Sequence, residues 1–161
     1  MGTTPAGLPY PEQTDSVDVV RDVKALADAI DLKIFRAWTV FVPTFQDFGL
    51  GNGTVSARYL KVGKTIHYQG AVGLGSTTAL NANAVQISLP FNPAVGYPLG
   101  VGLASDASAA LIFPLVAVGT AGLFFALRAP NGNPITVSQP FAWATPDAFG
   151  WNLTYETNAA A

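Results

Sequence analysis

From residue 38 to the C-terminus the chain carries only eight charged side chains in 124 positions: Asp47, Arg58, Lys61, Lys64, Asp106, Arg128, Asp147 and Glu156. The same stretch breaks into short runs rich in β-branched and aromatic residues, and these two features constrain the fold more than any other. The runs lie at 38–46, 54–62, 64–74, 84–89, 98–104, 109–118, 121–128, 134–142 and 149–157, separated by turn signals such as GLGNG, VGK, NPAVGYP, GTAG and NGNP. Eight or nine short strands at that spacing predict a mainly β fold, an antiparallel β-sandwich of jelly-roll character. So low a charge density leaves part of the surface to be covered by something other than water, most simply a second copy of the chain. The rival reading has Ser, Thr, Asn and Gln supply the polar surface. In the run at 54–62, Val55, Ala57, Tyr59 and Lys61 alternate with Ser56, Arg58, Leu60 and Val62, so neither face is cleanly polar. Both faces are therefore expected to be covered, one by the opposite sheet and one by a subunit.

The other ten of the eighteen charges crowd into the first 37 residues. Residues 1–11 hold three prolines and two glycines, and each proline fixes φ and biases its predecessor toward extended geometry, so 1–17 reads as an extended arm. The apolar group Leu8, Pro9, Tyr10 and Pro11 reads either as part of a loose terminus or as a segment that lies along a partner's groove. The arm lacks the basic start and apolar core of a secretory signal, so export by that route is not indicated. Residues 18–36 read as one short α-helix. Val19, Val23, Leu26 and Ile30 are spaced four, three and four, Asp18 is placed to cap the first turn, and Lys33 and Arg36 suit the far end of the dipole. A helix of this length is marginal alone, so it either docks on its own β domain or bundles with symmetry mates. Residues 37–161 form the β head. At 161 residues in total, one domain with an appendage is the natural division.

Chemistry is sparse. A net charge of −2 offers no footprint for phosphate backbones or acidic lipid, so nucleic acid is not an expected partner. Without cysteine there is neither a disulfide nor a thiolate metal site, and no cofactor is expected. Residues 109–127 run uncharged for the length of a membrane helix, but Pro114, Gly119 and Gly122 interrupt them, and a hairpin of buried strands fits better than membrane insertion. His67 lacks an acid or a second ligand at a motif-like spacing and reads as structural. Asp47, Asp106, Asp147 and Glu156 are far apart, and glycoside hydrolysis would need two of them to converge. Gly49, Gly51 and Gly53 read as a turn between strands, not a phosphate loop. Asn52-Gly53-Thr54 and Asn152-Leu153-Thr154 are chance-level glycosylation sequons. Tyr68, Phe91, Tyr97, Trp143 and Trp151 could stack on sugar rings if exposed, and on strands they read more readily as core. No enzymatic activity is expected.

Three blocks carry a resemblance. Residues 7–31, GLPYPEQTDSVDVVRDVKALADAID, combine a Gly-Leu-Pro-Tyr-Pro arm, a Thr-Asp turn and a short Leu-Ala helix. Residues 38–70, WTVFVPTFQDFGLGNGTVSARYLKVGKTIHYQG, hold a W-T-x-F-x-P-T-F opening, the run LGNGTVSARY and a V-G-K strand. Residues 139–157, QPFAWATPDAFGWNLTYET, close on P-F-x-W-A-T-x-D and a final T-Y-E. Together they resemble the small tail-fibre or minor tail proteins of double-stranded DNA bacteriophages of actinobacteria and related hosts. The blocks cover a little under half of the chain, and Leu50 to Tyr59 is their most specific part. A departure is Val20, where relatives often carry a helix-starting proline.

The resemblance implies a virion structural protein, made in the host cytoplasm and sited on the tail or baseplate, that acts as a homotrimeric tail fibre or receptor-binding component. Leu8, Pro9, Tyr10 and Pro11 would attach it to other virion proteins, Val19, Val23, Leu26 and Ile30 would line a three-helix bundle, and the head would contact the host surface, with a cell-surface glycan as candidate partner. The alternatives are a capsid head-fibre or decoration protein on the capsid exterior without a receptor role and, further off, a polysaccharide-degrading spike.

Overall fold

The computed structural model of the chain describes residues 2–4, 8–10, 18–34, 37–94, 98–120 and 122–159, which fall into two compact units, Met1–Ala37 and Trp38–Ala161. Pro11, Arg36 and Tyr97 lie outside the described residues, as does the side chain of Lys33.

In the first unit, β1 (Gly2–Thr3) and β2 (Pro9–Tyr10) pair antiparallel, so the two extended pieces of the arm fold onto each other. Thr4 N–H donates to the Leu8 carbonyl and Leu8 N–H to Thr4 Oγ1. The helix α1 (Val19–Ile34) begins one residue after Asp18, whose carboxylate accepts from Arg21 N–H at 3.0 Å, the N-cap bond that the first turn requires. Val20 sits in that first turn, where a proline would serve equally well, so its presence does not displace the helix start. Lys24 pairs with Asp28 one turn on, and α1 packs against β2.

The second unit is mainly β. Its strands are β3 (Thr39–Val40), β4 (Phe45–Gln46), β5 (Phe48–Gly49), β6 (Thr54–Val62), β7 (Thr65–Gly73), β8 (Ala79–Leu80), β9 (Gln86–Ser88), β10 (Leu99–Asp106), β11 (Leu111–Gly119), β12 (Phe124–Arg128) and β13 (Ala148–Glu156). Nine of them form one antiparallel sheet in the order β3-β6-β7-β13-β10-β11-β12-β9-β4, and β5 pairs with β8 beside it. The expected sandwich thus takes the form of a single curled sheet. Side chains from strands four places apart meet inside it, with Tyr68 of β7 edge-on to Phe125 of β12 at 6.1 Å between centroids. One segment, 39–46, joins the two ends. Its start pairs with β6 and its finish with β9, and Phe41 N–H to Ala57 and Ser88 N–H to Thr44 continue the bonding between. Closure of this kind leaves few unpaired edge groups.

Two sequence expectations change and a third holds. The run at 38–46 is two short strands, because Pro43 has no N–H to give a ladder. The run at 134–142 is a turn-rich loop with single bridges from Arg128 to Pro134 and from Thr136 to Gln139, since Pro134 and Pro140 interrupt any ladder there. The uncharged stretch 109–127 is largely the β11–β12 hairpin, and no helix among the described residues is long and apolar enough to cross a membrane.

The core is aromatic at its centre. Tyr68, Phe125 and Phe149 are buried and each packs against Trp151, and the chain of rings extends from Phe149 through Trp143, Phe141 and Phe113 on one side and Phe48 and Phe45 on the other.

Candidate functional site

Of the residues that the sequence singles out for sugar stacking, Tyr68 and Trp151 are buried in this core, while Trp143 and Phe91 are half-buried. Trp143 is fixed by its indole N–H, which donates to the carbonyls of Thr136 and Gln139 at 3.0 Å each. Burial pushes the Tyr68 and Tyr155 hydroxyls above the ordinary tyrosine range. Tyr155 keeps a hydrogen bond to the Phe91 carbonyl, whereas Tyr68 Oη has no well-formed bond and the nearby Trp151 indole N–H offsets its burial only in part.

The acids of the head do not converge. Asp147 is buried and accepts from Ala107 N–H at 2.9 Å and Ala144 N–H at 2.6 Å, tying together the turns that precede β11 and β13. Asp106 is partly exposed and accepts from the Ser108 hydroxyl and Ala109 N–H, which hold its carboxyl below the usual carboxylate range. Asp47 accepts from the Asn83 amide, and Glu156 points to solvent. His67 Nδ1 lies 3.0 Å from Thr154 Oγ1 across the β7–β13 pair. Among the described residues, no three His, Cys, Asp or Glu side chains are placed to hold a metal ion.

The LGNG run, part of the most distinctive block of the sequence, forms a locked double turn. Gly51 adopts φ +56° and a Cβ there would stand 2.3 Å from the Thr77 carbonyl, so only glycine fits. Asn52 is gripped by the facing turn: its backbone N–H donates to Thr77 Oγ1, its Oδ1 accepts from Thr77 N–H, and its Nδ2 donates to Ser76 Oγ. These glycines position backbone against backbone and leave no anion cradle.

Among the described residues, an apolar surface stands exposed on each unit. On α1, Val19, Val23 and Leu26 are 66%, 60% and 37% exposed, and Ile30 is half-buried, so the four residues form a row that is largely bare. In the arm, Leu8 and Pro9 are half-buried and Tyr10 is exposed.

On the head, the convex outer face of the sheet carries the second surface. The inward positions of β10 are Gly100, Gly102 and Ala104, and its large residues Leu99, Val101 and Leu103 therefore stand outward. Register places Val101 beside Val116 and Leu103 beside Pro114 on β11, with Ile112 one step on. On the other side of this ridge the face drops into a groove of about 570 Å³ floored by Ala71, Ala148 and Gly150 and bounded by Ser56 and Arg58 of β6. Arg58 is held at the rim: its guanidinium lies 4.9 Å over the Trp38 ring, and Gln69, with its amide oxygen turned inward, accepts from Nε and Nη2 at 2.6 Å. Sequence reasoning missed the ridge, the groove and the Arg58–Gln69–Trp38 cluster. The signal was present in the alternation Leu99-Gly100-Val101-Gly102-Leu103, in which every second residue is too small to be a core side chain.

The chain matches no protein-family model, no curated protein and no solved structure.

Proposed function

We propose that the chain is a bacteriophage virion structural protein that works as a homotrimer, a tail-fibre or receptor-binding component whose head contacts the host surface without covalent chemistry. Leu8, Pro9, Tyr10 and Pro11 dock the arm on the particle, Val19, Val23, Leu26 and Ile30 line a bundle of three helices, and several copies multiply a weak contact with a surface glycan. The observation that carries this reading is the bare row on α1. A 16-residue helix is marginal in water, and one that leaves Val19 and Val23 about two-thirds exposed gains its stability from partners. The three blocks that resemble phage tail proteins add to this, because they supply the capped helix, the locked Asn52 turn and the adjacent strands β6, β7 and β13. A polysaccharide-degrading spike is less well supported, since Asp147 and Asp106 are both engaged by backbone N–H groups of turns.

Light scattering or sedimentation on the full chain tests assembly. The expected mass at micromolar concentration is three times the 16.7 kDa chain, and a single-chain mass overturns the reading. Location in an intact particle tests the role: density at the tail tip or baseplate supports attachment to the host, and density on the capsid shell converts the reading to a head fibre or decoration protein.

A further inference from the structure

We propose that the outer face of the head is itself an interface between copies of this chain, in which the β10–β11 ridge of one copy seats in the β6–β13 groove of the next. This rests on the homo-oligomeric reading above and names the head surface that makes the contact.

The ridge is unlike ordinary solvent-facing sheet. Leu99, Val101, Leu103, Ile112 and Val116 are 63%, 67%, 46%, 71% and 40% exposed, and the charged side chain beside them is Arg128, opposite Val116 on β12, whose guanidinium donates to the Gly132 carbonyl. Their summed apolar area is on the order of 500 Å², at the upper end of what a soluble monomer leaves to water. The groove beside it is the matching shape. Its floor of Ala71, Ala148 and Gly150 is low because these side chains are small, and its one cation is drawn to the rim by Trp38 and Gln69, so the floor is uncharged. An aliphatic ridge entering it meets no charge on that floor, and the neutral polar side chains it covers are Ser56, Gln69 and Asn152 on the walls. Ridge and groove run side by side along neighbouring strands of one face. Two such faces packed at the ordinary sheet-to-sheet distance of about 10 Å can place each ridge in the other's groove, and a ring of copies can pass ridge to groove around its axis. Ridge plus groove walls reach about the 800 Å² per partner of a standard stable interface, which favours a second copy over a short apolar peptide.

The absence of cysteine from the chain gives a clean test. In a Ser56→Cys/Val101→Cys variant the two thiols sit on strands three places apart, about 14 Å at the usual strand spacing, too far for a disulfide within one copy. Mild oxidation of the full chain is expected to give covalent dimers or trimers that reducing agent dissolves. In parallel, a Val101→Asp/Leu103→Arg variant, altered only at exposed positions, is expected to keep the wild-type circular dichroism and lose the oligomeric mass. If the wild type is trimeric, the double-charge variant stays trimeric and the paired cysteines give only monomer on a denaturing gel, the head interface is wrong and the helix-bundle reading stands. Rapid maleimide labelling of a Val101→Cys single variant inside an intact trimer would likewise assign the face to a different partner and overturn the proposal. A wild type that is monomeric sinks both readings.

Discussion

Gly70 stands directly opposite Trp151 on the β7–β13 pair, and a Cβ built at Gly70 would lie 2.4 Å from indole Cζ2. On the other flank Trp151 is in register with Gly102 of β10, so the largest side chain of the core lies between two residues that have none. The row from β6 to β11 reads Ala57, Gly70, Trp151, Gly102, Leu115. On the inner side of β10 a Cβ at Gly102 would stand 2.8 Å from Leu127 Cδ2 and one at Gly100 would stand 2.9 Å from Leu153 Cγ, so the core admits only small residues there and the large residues of β10 face out.

Gly70→Ala is therefore expected to destabilise the head by about 1–3 kcal/mol, the usual cost of overpacking, because Ala57 Cβ at 2.8 Å closes the alternative direction. Chemical denaturation with near-UV circular dichroism reports it, as the Trp151 environment must shift. An unchanged midpoint would mean that the indole has room to move.

Asp147 is expected to be the costliest polar position. Replacing it by Ala strands the N–H groups of Ala107 and Ala144, two charge-assisted bonds in a site only 1% exposed, for a loss of about 3–5 kcal/mol. Asp147→Asn keeps one acceptor and should fall between. Thermal melts of the two variants order them, and equal midpoints would show that only one of the bonds contributes.

Alkaline pH is expected to loosen the fold through two buried tyrosines. Tyr68 and Tyr155 are held protonated by burial, whereas in the unfolded chain they ionise near the ordinary value of 10.0. The folded state thus binds more protons than the unfolded one above that pH, and stability falls as pH rises through it, by at most about 1.4 kcal/mol per pH unit for each tyrosine. Melting temperature is expected to be flat from pH 7 to 9 and to decline above about 10, with tyrosinate absorbance from these two residues arriving only with unfolding. Tyr155→Phe should reduce the slope.

How far the sequence revealed all this depended on whether the cause was local. Asp18 as N-cap, the Gly51 turn and the long strands β6, β7 and β13 follow from neighbours in the chain, and each was legible. The loop at 134–142 looked like a strand because Ile135, Val137 and Phe141 have the right side chains, but prolines on either side remove the ladder bonds. The outward turn of Leu99, Val101 and Leu103 was legible only as an alternation with Gly100 and Gly102; what fills the space beside those glycines, Leu115, Leu127 and Leu153, lies elsewhere in the chain and gave no local signal. Composition did indicate that some face lacked a cover, but which face required register.

Val23→Asp on α1 closes the set, because it separates assembly from head folding. Val23 is 60% exposed in the single chain, so a carboxylate there costs the isolated fold little. In a bundle, each copy would bring that carboxylate to an apolar seam beside its symmetry mates, replacing a burial of about 1.5–3 kcal/mol per copy by like-charge repulsion. The expected result is a head that melts as the wild type does, in a chain whose oligomer dissociates at concentrations where the wild type remains assembled. Sedimentation over a dilution series measures it. An oligomer equally resistant to dilution would show that α1 lies outside the assembly and that the head face alone holds the copies together.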